Sequence, residues 1–297
     1  MTDLVQPSRV AVKMRPIPLL PVIVLVAVAF CWSVQYPFWP NRVLLLDQGK
    51  IVNYSWLAFA LFVGGIALWV WALWALFPYM RDATFTRVRG IILPVTAMVY
   101  TAFVLMYPTN AIDVYIYAVR SRLLTEYGAN PNEALPVSWW ETDPYMRFAS
   151  REWADDTSPY GPLWNQLAAP ITALAGDSVG IAVIGFKLLC VIAIVAIGWL
   201  IHDAVASRNP GWAVMACLFW LWNPLVLWDG IGNAHNDVVL MVPAVAALWA
   251  WTKRYDHMVL PLLFASMLIK YVTVILLPVA IVALWKRNSP AKRVEGA

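Results

Sequence analysis

Long apolar runs separated by short polar segments constrain this 297-residue chain most strongly. A membrane-spanning helix needs about 20 mainly apolar residues. Candidate spans lie at 17–36, 54–77, 90–108, 179–201, 211–228 and 237–251. The chain is 62% hydrophobic and only 13% charged, whereas soluble domains have about 25% charged residues. The sequence therefore predicts an all-α, multi-pass membrane protein.

Two further apolar segments leave the topology open. The run 258–285 contains Lys270 near its middle and predicts either one long span or a hairpin of two short ones. Segment 162–176 is only marginally long enough to cross. We predict a single domain over residues 1–297, with about eight transmembrane helices, two of them short. Amphipathic juxtamembrane helices are expected in a long external loop, 109–176.

The distribution of Lys and Arg predicts the orientation, because short cytoplasmic loops are enriched in these residues. If 258–285 is a hairpin and 162–176 lies on the surface, 13 Lys and Arg residues fall inside and 6 outside. If 258–285 crosses once and 162–176 spans, the counts are 10 and 9. The first topology is preferred. It places the N-terminus in the cytoplasm and puts 109–161 and the loop at His235 outside the cell membrane.

Charge and cysteine spacing argue against nucleic-acid binding and against a disulfide or metal-binding framework. The net charge of +4 could suggest an anionic partner, but the excess lies in short loops beside apolar runs, so nucleic-acid binding is not expected. Cys31, Cys190 and Cys217 all fall within apolar runs and lack disulfide or metal-ligand spacing. The first apolar run has no small-residue cleavage site, which predicts an uncleaved first span.

The segment "GNAHNDVVL" places His235, Asn236 and Asp237 between two apolar runs. Charged side chains facing lipid would cost several kcal/mol, so these residues are expected to face water, a cavity or a partner. A His-x-Asp pattern alone is too short to specify a metal site. Asp229 and Asn233 add further polar groups to the same loop.

A second polar motif, "DVYIYAVRSRL" at 113–123, predicts an amphipathic helix in the membrane interface. Asp113, Tyr117 and Arg120 recur on one face of this helix. Asp113 at its amino end is either a helix cap or a catalytic carboxylate, and both interpretations stay open.

Aromatic and basic residues follow in "VSWWETDPYMRFASREWADDTSPYGPLWNQ", residues 137–166. Tyr160 and the neighbouring Trp residues fit either sugar stacking or an interfacial aromatic belt. Either a substrate phosphate or lipid headgroups would bind to the cations of this region, Arg120, Arg147 and Arg151. Lys270 is expected at the external turn of a hairpin, facing a wet cavity or an anion. Lys187 is either a cavity residue or one that reaches the interface.

Four segments together resemble the GT-C membrane glycosyltransferases, and among them the actinobacterial-type mannosyltransferases that use polyprenyl-phosphate mannose. They are "DVYIYAVRSRL" at 113–123, "SPYGPLWNQLAAP" at 158–170, "WNPLVLWDGIGNAHNDVVLM" at 222–241 and "LIKYVTVILLP" at 268–278. Relatives of this type generally continue with several more spans, so the resemblance leaves three interpretations open: a chain truncated at its C-terminus, a natural minimal form and an inactive remnant.

The resemblance implies inverting transfer of a hexosyl residue, mannose by analogy, to a glycolipid or polysaccharide acceptor on the external face. It assigns Asp113 as the catalytic base, with His235 and Asp237 in the second motif. The expected substrate-binding residues are Tyr117, Arg120, Arg147, Arg151, Tyr160, Asn236 and Lys270. No cofactor or metal ligand is assigned, and a divalent cation stays open. An inactive scaffold and a lipid-linked sugar transporter are the alternatives, although a transporter is expected to show internal repeats.

Overall fold

A computed structural model of the protein describes residues 16–110 and 113–289. Within this part of the chain the secondary structure is helical, with strand pairing limited to one isolated bridge between Pro37 and Met106. The predicted all-α class is confirmed. The basic residues before 16 and after 289, which the orientation argument uses, lie outside the described ranges.

Thirteen α-helices occur in the described ranges. They are α1 (Leu19–Gln35), α2 (Phe38–Asn41), α3 (Gln48–Ile51), α4 (Trp56–Met80), α5 (Phe85–Leu105), α6 (Asp113–Thr125), α7 (Arg151–Ala154), α8 (Pro162–Ala175), α9 (Val179–Ala206), α10 (Pro210–Leu221), α11 (Asp237–Thr252), α12 (Asp256–Ile269) and α13 (Leu276–Asn288). Short 3₁₀ helices occupy Pro136–Trp139, Met146–Phe148 and Tyr271–Ile275, and a π-helix occupies Val226–Gly232.

Four helical stretches in the described residues are long and apolar enough to cross a membrane, namely α4, α5, α9 and the stretch Tyr271–Asn288 that includes α13. Helix α10 and the π-helix would form a fifth span, bent by 52°. Helices α1, α11 and α12 are apolar but shorter, with 17, 16 and 14 residues. The membrane helix bundle is therefore confirmed, while the count of about eight spans stays a prediction.

The run 258–285 forms a hairpin. Helix α12 ends at Ile269, and Lys270 has extended backbone angles, φ −149° and ψ 123°. Near the end of α13, the Arg287 guanidinium lies 2.8 Å from the carboxylate of Asp256 at the start of α12. The two helices are therefore antiparallel, and Lys270 lies at the turn between them.

Helices α6 and α8 run side by side. The amide of Gly161, just before α8, donates to the Ile269 carbonyl at 3.0 Å, while Arg122 near the end of α6 donates to the Gly176 carbonyl at 2.7 Å. Helix α8 buries one face, as an amphipathic helix does. Helix α6 differs from its prediction, because every residue from Val114 to Leu123 is buried. Residues of the 136–164 region cover the face that was expected to contact water.

Lys187 does not reach the interface. Its side chain is fully buried, and its ammonium donates to the carbonyls of Phe103 and Met106 at the end of α5. The last carbonyls of a helix lack intrahelical partners, and a cation there is favoured by the helix dipole. Lys187 therefore caps α5 and fixes the point where the chain leaves the bundle towards Asp113.

Candidate active site

The start of α6 is tied to the loop between the π-helix and α11. The amide of Asn110 donates to the side-chain oxygen of Asn233 at 3.1 Å, and the Asn233 amide group donates to Asp229 at 3.2 Å. The first bond joins two segments more than a hundred residues apart in the sequence, and the second orients the Asn233 side chain within its own loop. They hold Asp113, the first residue of α6, beside the loop that contains His235.

Local backbone geometry positions the His235 side chain. The π-helix ends at Gly232, and Ala234 follows with a φ of 55°, in the left-handed region that L residues rarely adopt. The amide of His235 then donates to the Asp229 carbonyl at 3.1 Å. π-Helical turns occur frequently at functional sites. This turn reverses the chain and places the carboxylate of Asp237 close to the His235 ring.

Asp113, His235, Asp237 and Lys270 form one cluster, called here the four-residue cluster. The Nδ1 atom of His235 lies 3.7 Å from a carboxylate oxygen of Asp113 and 3.7 Å from one of Asp237. The ammonium of Lys270 lies 2.9 and 3.1 Å from the two carboxylate oxygens of Asp237. The side chains of all four are partly exposed, between 24% and 49%. The cluster is therefore ionic, open to solvent and assembled from three polar segments.

The carboxylates change the titration of His235. The nearby carboxylate of Asp237 raises the pKa of His235 above its usual value, and the negative charge of Asp113 acts in the same direction. Burial of the ring lowers the pKa and opposes this effect. The net shift is upward, so the imidazolium form persists to higher pH than in an isolated histidine.

Tyr117, Asn236 and Tyr160 lie directly behind the cluster. The Tyr117 hydroxyl donates to the side-chain oxygen of Asn236 at 3.2 Å, and its ring packs edge-on against Tyr160 with centroids 5.1 Å apart. The Lys270 ammonium lies 6.0 Å from the Tyr160 ring centroid. The amide nitrogen of Asn236 is buried without a hydrogen-bond partner within the described residues. These residues support the cluster, and a substrate-binding role for them stays a prediction.

Two of the predicted arginines, Arg120 and Arg147, form no hydrogen bond or ion pair with the cluster among the described residues. Arg120 is buried, and its guanidinium donates to the carbonyls of Trp153 and Asp156 at 3.4 and 3.3 Å. Arg147 is exposed over the Phe148 ring and forms no hydrogen bond or ion pair with the cluster in the described part of the chain. The side chain of Arg151 lies outside what the structure describes. The Nε atom of Arg120 is buried without a hydrogen-bond partner among the described residues.

The structure adds a wall that the sequence did not indicate. A polar cleft of about 480 Å³ opens beside Asp113 and is bounded on its other side by residues 45–50. Lys50 and Asp47 are the charged residues of that wall. No local sequence pattern links this segment to 113, because the contact depends on long-range packing. Among the described residues, no three His, Cys, Asp or Glu side chains are grouped as ligands of a metal ion.

Comparison with known proteins decides the family. A family model described as alpha-(1->6)-mannopyranosyltransferase, N-terminal domain, matches residues 20–287 of the chain. The chain belongs to this family. The match includes every segment of the four-residue cluster, and the resemblance to GT-C mannosyltransferases is confirmed.

Curated members of the mannopyranosyltransferase family align with parts of the chain. Alpha-(1->6)-mannopyranosyltransferase A of Corynebacterium glutamicum is 29% identical over 50% of this chain and 30% of the relative. Alpha-(1->6)-mannopyranosyltransferase B of the same species is 26% identical over 68% and 31%. Alpha-(1->6)-mannopyranosyltransferase A of Mycobacterium tuberculosis is 23% identical over 82% and 47%. The chain therefore spans less than half the length of these relatives. No solved structure matches it significantly.

Proposed function

We propose that this chain transfers a mannosyl residue from a polyprenyl-phosphate donor to a glycolipid or polysaccharide acceptor on the external face of the cell membrane. One observation carries the proposal: His235 lies 3.7 Å from the carboxylates of both Asp113 and Asp237. Family membership supports the sugar, since the curated relatives are named as mannopyranosyltransferases. The Lys and Arg distribution supports the external location.

Asp113 is the carboxylate best suited to act as the base. A sugar hydroxyl is a poor nucleophile near neutral pH, so a base must take its proton as the oxygen attacks the anomeric carbon. Asp237 is held by Lys270 within 3.1 Å, and an adjacent cation makes a carboxylate a weaker base. Asp113 faces one cationic group, His235 at 3.7 Å, whereas Asp237 faces both His235 and Lys270. Asp113 has no lysine or arginine partner in the described residues and lines the polar cleft.

His235 and Lys270 supply positive charge next to the reacting groups. As the bond between the anomeric carbon and the phosphate oxygen breaks, the lipid phosphate keeps the electron pair and gains negative charge. A protonated imidazole and an ammonium would stabilise that charge. Direct attack by the acceptor inverts the anomeric centre, so a β-linked donor would give an α-linked product. The polyprenyl tail would lie in the bilayer beside the apolar helices.

The substitution Asp113→Asn tests the proposal. It keeps the size of the side chain and removes the base, so transfer from radiolabelled polyprenyl-phosphate mannose in membranes should fall by about 10²- to 10⁴-fold. Asp203→Asn, at the opposite end of the bundle, is the matched control and should retain transfer. Unchanged transfer in Asp113→Asn would remove this residue from the mechanism, and no transfer by the unmodified protein would favour the scaffold alternative.

A further inference from the structure

The polar cleft beside Asp113, called here the first-loop cleft, joins two segments that are far apart in the sequence. Its lining residues are Leu45, Leu46, Asp47, Lys50, Thr109, Asn110 and Asp113. At about 480 Å³, it falls within the range of about 300–1,000 Å³ that is usual for small-molecule sites. The proposed base therefore faces a space large enough for a sugar phosphate.

The wall formed by residues 45–50 is anchored to the chain that leads into Asp113. The Gln48 amide donates to the Thr109 carbonyl at 3.2 Å. The Tyr107 hydroxyl donates to the Leu44 carbonyl at 2.5 Å and accepts from the Leu46 amide at 3.1 Å. These bonds fix the separation between the wall and the start of α6. The cleft is therefore preorganised.

Lys50 is the only cation among the described residues that line this cleft. Its side chain is 55% exposed, and its ion-pair partner is the equally exposed Asp47 at 3.2 Å. Exposed pairs of this kind contribute little, typically below about 1 kcal/mol, so Lys50 can exchange its partner. Lys270 and Arg120 are engaged with Asp237 and with loop carbonyls. Among the lysines and arginines named here, Lys50 thus has the partner that is most easily exchanged.

We propose that Lys50 binds the phosphate of the lipid-linked sugar donor in the first-loop cleft. This inference rests on the proposed function and adds Lys50 to His235 and Lys270 as a group that contacts the leaving phosphate. An ammonium acts as a compact point charge with three donors. Lys50 lines the same cleft as Asp113, so a donor phosphate bound by Lys50 would lie in the space that the proposed base faces. Asp47 holds the ammonium when the donor is absent and competes with the phosphate when the donor binds.

Donor-dependent kinetics test the assignment. Lys50→Gln should raise the donor KM by about tenfold, the lower range for a hydrogen bond to a charged group, and Lys50→Arg should restore most of the loss. Asp47→Asn should lower the donor KM by about threefold, because it removes the competing carboxylate while Asn still caps α3. Lys286→Gln, near the end of α13, is the control and should leave KM unchanged. A purely structural role would make Lys50→Gln and Asp47→Asn change KM in the same direction.

A binding measurement separates this inference from the proposed function. The purified chain in phosphatidylcholine nanodiscs is titrated with a sugar-free polyprenyl phosphate, with the uncharged polyprenol, and with phosphatidylglycerol. If Lys50→Gln binds the polyprenyl phosphate more weakly than the unmodified protein does, and binds the other two lipids equally well, the inference is supported even if no transfer is found. Equal loss of phosphatidylglycerol binding would assign the site to bulk lipid headgroups and overturn it. Unchanged binding and KM in Lys50→Gln would overturn it even if transfer is robust.

Discussion

Asp113 and Arg122 lie at opposite ends of the same helix, α6, in very different surroundings. Arg122 is 5% exposed and donates to Asp143 at 2.7 Å, to the Gly176 carbonyl at 2.7 Å and to Asp177 at 2.9 Å. Its guanidinium also lies 4.5 Å from the Tyr145 ring centroid. Asp113 is 36% exposed, with His235 at 3.7 Å.

The difference concerns what each group can still bind. Arg122 uses three of its five N–H donors within the protein. These bonds fix α6 against the segment that leads into α9. Asp113 keeps free acceptor positions and faces a cleft. The contrast fits the proposal that one end of α6 supports the fold while the other carries the catalytic base.

The largest predicted effect on stability tests the fold-supporting end. Arg122→Gln leaves Asp143, whose side chain is fully buried, without its cation. Removing one partner of a buried pair costs about 3–5 kcal/mol, so the unfolding midpoint in detergent, followed by tryptophan fluorescence, should fall by several degrees. Arg147→Gln, at an exposed position, is the control. Asp113→Asn should keep the midpoint, and a drop matching that of Arg122→Gln would break the comparison.

A smaller effect on the unfolding midpoint depends on pH and tests the end of α6 at Asp113, where His235 lies. Because its carboxylate neighbours raise the pKa of His235 in the folded protein, the imidazolium stabilises the fold fully at pH below the unfolded pKa, about 6.5. This stabilisation is lost as the pH rises through the higher folded pKa. The midpoint difference between the unmodified protein and His235→Gln should therefore be larger at pH 5.5 than at pH 8.5. A difference independent of pH would show that the charge of His235 does not matter for the cluster.

The apolar runs and charge distribution sufficed to predict the helix bundle, the hairpin turn at Lys270 and the proximity of Asp113 to His235. These features follow from hydropathy and from which loops share one side of a bundle. The burial of α6 was not predictable, because residues of the 136–164 region cover its outer face. The wall at Lys50 was missed for the same reason, since only long-range packing places it near Asp113.

The smallest predicted effect comes from the end of the bundle farthest from the cluster. Asp203 accepts from Lys253 at 2.6 Å and from Trp249 at 2.8 Å, and its side chain is 38% exposed. Like Arg122 it is well supplied with partners, but it is open to solvent, where an ion pair contributes less than about 1 kcal/mol. Asp203→Asn should therefore shift the unfolding midpoint slightly and leave the transfer rate and donor KM unchanged. If it instead reduced transfer as strongly as Asp113→Asn, the number of partners of a charged side chain would not distinguish a structural from a catalytic role in this bundle. The assignment of Asp113 would then need support other than its open surroundings.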